Sequence, residues 1–236
     1  MMRRTGMIVV LLGVVFGTVG CQGLGIVPPL AEGRLVESKD VVNAVPKAGG
    51  PITVNGSLDE AAWAKATAMT DFVLGASGKP EVQSRVLVTY DDVNLYIAVI
   101  NEEPNIDQLV TTATERDGEV WTDDSVEIYI DAANEKGGDY HGFFVSASNV
   151  VYDRQQTEDW NGEWTSATGR FGGTVWLVET AIAFKTLGVT PKPGHKFGLM
   201  VARNRRAGLD QPQGLYLVPC NDEAKDTSLY PALELQ

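Results

Sequence analysis

The chain has 236 residues, 44% hydrophobic and 21% charged, which suits one large domain or two small ones with a packed core and argues against disorder. Acidic residues outnumber basic ones 31 to 19, a formal charge of −12; a surface of that sign repels phosphate backbones, so no nucleic-acid partner is expected. The 25 glycines, the common β-branched residues and the scarcity of helix-forming runs point to strands and turns.

Residues 1–20 have the order of a secretory signal: Arg3 and Arg4, then an apolar run from Met7 to Phe16 that at about ten residues is short for a membrane span, then small residues. Thr18-Val19-Gly20-Cys21 resembles a bacterial lipobox, with Thr18 where leucine is usual. Cys21 is therefore the expected lipidation site. The protein would be held on a membrane by acyl chains without spanning it, in the cell envelope on a periplasmic or extracellular face. The other reading is ordinary cleavage near Gly20 with Cys21 left as a thiol. Lipid on Cys21 leaves Cys220 with no intramolecular disulfide partner. Residues 21–50 are rich in glycine and proline and sustain no apolar period; they read as a flexible tether.

From residue 51 to 236 the pattern is that of one domain. Ile52–Val54 reads as a short strand closed by Asn55-Gly56. Ser57 to Glu60 has the form of a capping box opening a short helix over Leu58–Ala66, with Trp63 plugging one end of the core. Arg85–Tyr90 alternates and Leu95–Ile100 is almost wholly apolar, so these runs form a hairpin whose second strand is covered on both faces. Val126, Ile128 and Ile130 make one face of a further strand; Ser125, Glu127, Tyr129 and Asp131 make the other. Further strands are expected at 142–146, 150–154, 174–184, 197–202 and 215–218. The spacing predicts an all-β, antiparallel β-sandwich of immunoglobulin or jelly-roll type, with one or two short helices and long loops.

No catalytic constellation is visible. His141 and His195 are far apart in no metal-ligand spacing, and no nucleophile elbow, phosphate loop or dinucleotide fingerprint occurs. Asp123, Asp124 and Glu127 cluster, but three carboxylates on one short segment do not flank a bond across a cleft as glycoside hydrolysis needs. The chain is expected not to be an enzyme.

The stretch Arg116 to Asp131 carries chemistry of another kind: Trp121 in a loop, then acids, directly before an amphipathic strand. An indole can stack on the apolar face of a sugar ring while carboxylates accept hydrogen bonds from its hydroxyls. Equally, Trp121 can pack beneath its own loop with Asp123 and Asp124 bonding within the turn.

Four pieces in order then resemble the family-9 carbohydrate-binding module and its β-sandwich relatives, over about Pro51 to Arg205. They are Ile52-x-Val54-Asn55-Gly56-x-Leu58-Asp59-Glu60-x-x-Trp63, the hairpin with Tyr90-Asp91-Asp92-x-x-Leu95-Tyr96-Ile97, Trp121-x-x-Asp124-Ser125-Val126-Glu127-Ile128-Tyr129-Ile130-Asp131, and Trp176-x-x-Glu179-x-Ala181-Ile182-x-Phe184-x-x-Leu187-Gly188. The resemblance implies a non-catalytic saccharide- or glycan-binding module in which a terminal sugar is clamped between two tryptophans. It places the first clamp at Trp121 and the hydroxyl-binding carboxylate at Glu127, and puts Trp63 and Trp176 in the core; beside these, Arg116, Asp124 and Trp160 are further candidates for the site. Two positions depart from the family. Phe143 and Phe144 stand where an arginine is usual, and Leu217–Tyr230 contains no tryptophan, so Trp160 or Trp164 is the candidate for a second wall.

The resemblance also implies that no cofactor is required, with structural calcium as a possibility at Asp131, Asn134, Glu135 and Asp139; a solvated hairpin loop is the other reading. Two further functions stay open. Relatives of the sandwich hold b-type haem, for which Met69 and Met200 are the methionines remaining after signal removal. A structural envelope domain that has lost its sugar site is the other, and the missing second tryptophan favours it.

Overall fold

The computed structural model describes residues 34–35, 42–220 and 224–236. In these residues the alternation of the sequence becomes strand pairing. The strands are β1 (Arg34–Leu35), β2 (Val42–Val45), β3 (Thr67–Thr70), β4 (Val73–Leu74), β5 (Ser84–Tyr90), β6 (Asn94–Glu102), β7 (Ser125–Asp131) and β8 (His141–Ser146). They continue with β9 (Val151–Gln155), β10 (Glu158–Asp159), β11 (Trp164–Phe171), β12 (Val175–Ala183), β13 (Lys196–Arg205), β14 (Gln213–Tyr216) and β15 (Ala232–Leu235). A six-stranded sheet runs β1-β3-β5-β6-β12-β11, and a nine-stranded sheet runs β10-β9-β8-β7-β13-β14-β4 with β15 beside β13 and β2. All pairs are antiparallel except β1 with β3 and β2 with β15.

The inward faces supply the main core. Val86 and Val88 of β5, Leu95, Ile97 and Val99 of β6, Trp176 and Val178 of β12, Val126, Ile128 and Ile130 of β7, and Leu199 and Val201 of β13 are all buried there. The expected double cover of β6 is present: Tyr96, Ala98 and Ile100 face the other way, into a second cluster with Leu58, Trp63, Leu87 and Leu177.

That second cluster explains why the expected helix at 58–66 is only a single 3-10 turn, Trp63–Lys65. The capping box does not form. Glu60 Oε1 accepts from the Thr53 amide at 2.9 Å, and the Asp59 amide bonds the Ser57 carbonyl at 2.9 Å. Segment 51–66, including the expected strand Ile52–Val54, lies unpaired over the outer face of the six-stranded sheet, and fully buried Trp63 packs there, not in the main core. Tertiary burial overrides local propensity. The segment is pinned by Glu179, whose Oε2 accepts both the Asn55 and Gly56 amides at 2.9 Å. Gly56 has φ +78°, and a Cβ there would sit 2.4 Å from the Thr168 carbonyl oxygen, so only glycine fits.

The tether boundary also moves. Residues 42–45, expected within it, form β2 and pair along β15; Val45 is fully buried, and the Ala48 amide bonds the Tyr90 carbonyl at 2.7 Å. Cys21 and residues 1–20 lie outside the described residues.

One end of the sandwich is tied by buried charge. Glu103, just after β6, meets Arg203 at 2.9 Å and Arg205 at 2.8 Å, and Arg203 lies over the Trp176 ring at 5.9 Å. Desolvation lowers the Arg203 pKa to about 10, against the pull of Glu103.

Candidate ligand-binding cleft

Register brings one row of residues together on the outer face of the nine-stranded sheet. Glu127 of β7 pairs with Phe144 of β8 and Ala202 of β13; Phe144 pairs in turn with Tyr152 of β9, and Ala202 with Tyr216 of β14. Because side chains alternate, all five share the face opposite Val126, Ile128 and Val201. Tyr129 and Arg154 stand in the adjacent row, across Gly142. A Cβ on Gly142 would come within 3.0 Å of Arg154 Cγ and 3.2 Å of Phe144 Cε1, so its bare backbone leaves room for both side chains.

Of these, Glu127, Tyr129, Phe144, Arg154, Ala202 and Tyr216 line a cleft of about 410 Å³, with Trp121, Asn204, Arg206, Ala224 and Lys225 completing its walls. That volume falls in the range of small-molecule sites. Its floor is a chain of aromatic contacts. Trp121 stands edge-on to Tyr152 at 5.3 Å, Tyr152 lies 5.2 Å from Phe144, and Phe144 lies 5.3 Å from Tyr129. Trp121 itself remains 38% exposed, the one aromatic among the exposed large hydrophobic side chains of the described residues.

The loop that presents Trp121 is fixed from behind by two fully buried carboxylates. Asp123 accepts from the Thr112 amide at 2.7 Å, its hydroxyl at 2.6 Å and the Ala113 amide at 3.1 Å. Asp124 accepts from the Val110 and Arg206 amides, both at 2.8 Å, and from Ala207 at 3.3 Å. Burial raises the Asp124 pKa, and these amides oppose the rise. Arg206 closes the arrangement by donating to the Trp121 carbonyl at 2.9 Å and the Asp123 carbonyl at 3.3 Å.

Glu127 is oriented by the Tyr129 hydroxyl and by Asn204 Nδ2 at 2.8 Å. Burial, followed by the charge of Glu127, pushes the Tyr129 pKa well above its ordinary value, so the phenol stays protonated and donates. A carboxylate has about four lone-pair sites, so Glu127 keeps acceptor capacity toward the cleft.

Of the sequence-derived candidates, Trp121 and Glu127 meet in this cleft, and Asp124, Arg116 and Trp160 do not line it. Asp124 is a buried brace. Arg116 donates to Asp153, and to Asn161 Oδ1 at 2.8 Å. Asp153 pairs in register with Phe143, so this contact belongs to the opposite face of the sheet. Trp160 packs on that face too, 5.2 Å from His141 and 6.1 Å from Phe143, and Trp164 packs 5.2 Å from Phe143. Neither supplies a second wall to Trp121; the far end of the cleft is formed by Tyr216, Ala224 and Lys225. Phe144 lines the floor, whereas Phe143 points inward.

Sequence reasoning missed Tyr129, Arg154, Asn204, Arg206, Tyr216 and Lys225 as lining residues. Tyr129 and Arg154 were available from alternation with Glu127 and Tyr152. Asn204 was lost because the strand expected to stop at Ala202 continues to Arg205.

The other proposed groups take structural places. Asp131 accepts from the Glu135 amide at 3.2 Å and the Lys136 amide at 2.8 Å, and Asp139 accepts from Gln156. Among the described residues no group of three or more His, Cys, Asp or Glu side chains is placed to hold a metal ion. Met69 and Met200 are both fully buried. A larger cavity of about 670 Å³ opens on the six-stranded sheet beside Arg85, Ile100, Phe171 and Val175, but it contains none of the candidate residues.

The fold and cleft together define a β-sandwich of the binding-module class, with an open aromatic platform on one sheet. The sequence profile described as "Carbohydrate family 9 binding domain-like" matches residues 54–236, and the chain belongs to that family. It is 29% identical over 203 residues to endo-1,4-beta-xylanase A of Thermotoga neapolitana and 27% identical over 205 residues to that of Thermotoga maritima. Each match covers 83% of this chain but only 18% of the xylanase. Among solved structures, a family-9 carbohydrate-binding module of Caldicellulosiruptor kristjanssonii in complex with cellotriose superposes with a TM-score of 0.66 at 17% identity, covering 83% of this chain and 94% of that one. A family-9 module of the same organism in complex with glucose gives 0.62 at 17% identity, covering 82% and 96%.

Proposed function

We propose that this chain is a non-catalytic saccharide-binding module, lipidated at Cys21 and displayed from the cell envelope. The observation that carries the reading is the meeting of exposed Trp121 with oriented Glu127 in one aromatic-floored cleft. The indole offers a flat apolar surface to a sugar ring, and Glu127, Asn204 and Arg154 offer polar partners to its hydroxyls. The glucose and cellotriose complexes of the structural neighbours support the ligand class. The match covers only 18% of each xylanase, so the hydrolytic activity of those whole proteins does not carry over to this chain. Among the described residues Glu127 is the one carboxylate side chain lining the cleft, where glycoside hydrolysis needs a pair.

Calorimetric titration of the full chain with cello- and xylo-oligosaccharides tests the binding: saturable heat that is lost on substitution of Glu127 by alanine supports it, and no heat with any oligosaccharide refutes it. Metabolic labelling with palmitate tests the anchor: wild type should carry label and Cys21→Ser should not, and unlabelled wild type would refute it.

A further inference from the structure

The way Glu127 is held determines which hydroxyl pattern the cleft can read, on the premise that the cleft binds a saccharide. Alternation along β7 puts Ser125, Glu127 and Tyr129 in one column on the outer face, with Glu127 in the middle. The carboxylate is gripped from both ends of that column. The Tyr129 hydroxyl donates to Oε2. From the other end Asn204, the register partner of Ser125 on β13, donates to Oε1 at 2.8 Å. Asn204 is itself fixed, because the same amide nitrogen donates to the Ser125 hydroxyl at 3.0 Å.

A carboxylate held at both oxygens cannot turn about its last bond without breaking a contact. It has about four lone-pair sites, two on each oxygen. Among the described residues each oxygen accepts one hydrogen bond, so each keeps one site. The two anchors lie along the strand on either side of Glu127 and the sheet lies beneath it. The remaining sites therefore open together away from the sheet, where Glu127 lines the cleft with Trp121. The result is a fork of two adjacent acceptors in a fixed orientation.

A lone hydroxyl fills half of this fork. Two hydroxyls on neighbouring ring carbons fill both halves at once when they are gauche, as every adjacent pair on a pyranose is unless both are axial and trans. We infer that the ligand element read by the cleft is a vicinal diol held by both oxygens of Glu127, with Tyr129 and Asn204 as the positioning residues that keep the fork aligned. Each interior unit of a 1,4-linked xylo- or gluco-oligosaccharide carries such a pair. An interior 1,3-linked unit carries none, because its linkage takes the oxygen between the free ones. The fork therefore favours 1,4-linked chains.

The test is calorimetric titration of the full chain, purified in detergent, with cellobiose, xylobiose and their singly deoxygenated derivatives. Removing either member of one neighbouring hydroxyl pair should weaken binding at least about tenfold, which corresponds to about 1.4 kcal/mol, whereas removing a hydroxyl outside the pair should change it by less than about threefold. In Tyr129→Phe and in Asn204→Ala one anchor is gone and the carboxylate can turn to meet a single hydroxyl. The ratio of parent to deoxygenated affinity should then fall toward unity. A purely structural role for either residue would weaken parent and derivative alike and leave that ratio in place. Tyr129→Phe keeps the ring that packs against Tyr140 and Phe144, and thermal unfolding of each preparation checks the fold. Penalties scattered over hydroxyls that are not neighbours, or a ratio unmoved in both variants, would overturn this inference and leave the saccharide reading standing. Absence of binding by every cello- and xylo-oligosaccharide would overturn both.

Discussion

Replacing Trp121 by alanine separates a binding surface from a packing one. The indole is 38% exposed and touches Tyr152 edge-on at 5.3 Å, so much of its surface is outside the fold. A sugar ring that covered about 60 Å² of it would gain about 1.5 kcal/mol at about 25 cal/mol per Å². Aromatic geometry adds about 0.5–1.5 kcal/mol beyond area. The loss of about 2–3 kcal/mol is roughly 30- to 150-fold in affinity, since about 1.4 kcal/mol is a factor of ten. Folding should lose much less than the roughly 3–5 kcal/mol of a fully buried aromatic truncation, the cost expected at Trp63 or Trp176, which are 0% and 1% exposed. Calorimetric titration and thermal unfolding of the same preparation read both quantities. A variant that keeps its affinity but loses the stability of a core truncation would refute the assignment of Trp121 to the cleft.

Deleting residues 22–45 takes β2 away from its partner β15 and removes the fully buried Val45 from the core, so unfolding free energy should fall by at least about 1.5–3 kcal/mol; an unchanged denaturation midpoint would show that β2 does not stabilise the sandwich. Glu103→Gln removes the carboxylate that pairs directly with buried Arg203 and Arg205, and chemical denaturation should record a loss of about 3–5 kcal/mol; near-neutral stability would contradict the role of that tie. Burial lowers the pKa of His141 below its ordinary value. The unfolded chain therefore takes up a proton near about pH 6.5 while the folded one resists, and stability is lost as pH falls through that range. Melting curves between neutral and mildly acidic pH should show a shallower slope for His141→Phe than for wild type; identical slopes would refute this linkage.

The legible parts of the fold were those set by alternation. Val126, Ile128 and Ile130 fix which face of β7 is core, and the same period puts Glu127 on the other face beside Tyr129. Leu95–Ile100 announced double cover because no polar residue interrupts it. What local pattern could not carry was competition between partners. Glu60 fits a capping box, yet it bonds Thr53 because Trp63 is drawn onto the outer face of the six-stranded sheet. Val42–Val45 looks like part of a tether because its partner, β15, lies at the other end of the chain. Asp124 and Arg116 have the chemistry of sugar ligands, but three backbone amides claim the first and Asp153 helps to claim the second. The lining residues Arg154, Asn204 and Tyr216 come from three strands and become neighbours only through register, which no local window contains.

The central claim is that a saccharide seats on Trp121 and on no other tryptophan. With 5 tryptophans in the chain, each indole N–H gives a separate nitrogen-correlated proton resonance, assignable by single Trp→Phe substitutions. Titration of the full chain with oligosaccharide should move the Trp121 resonance progressively to saturation while those of buried Trp63 and Trp176 stay in place. A saturable shift at Trp160 or Trp164 with Trp121 unmoved would contradict the account.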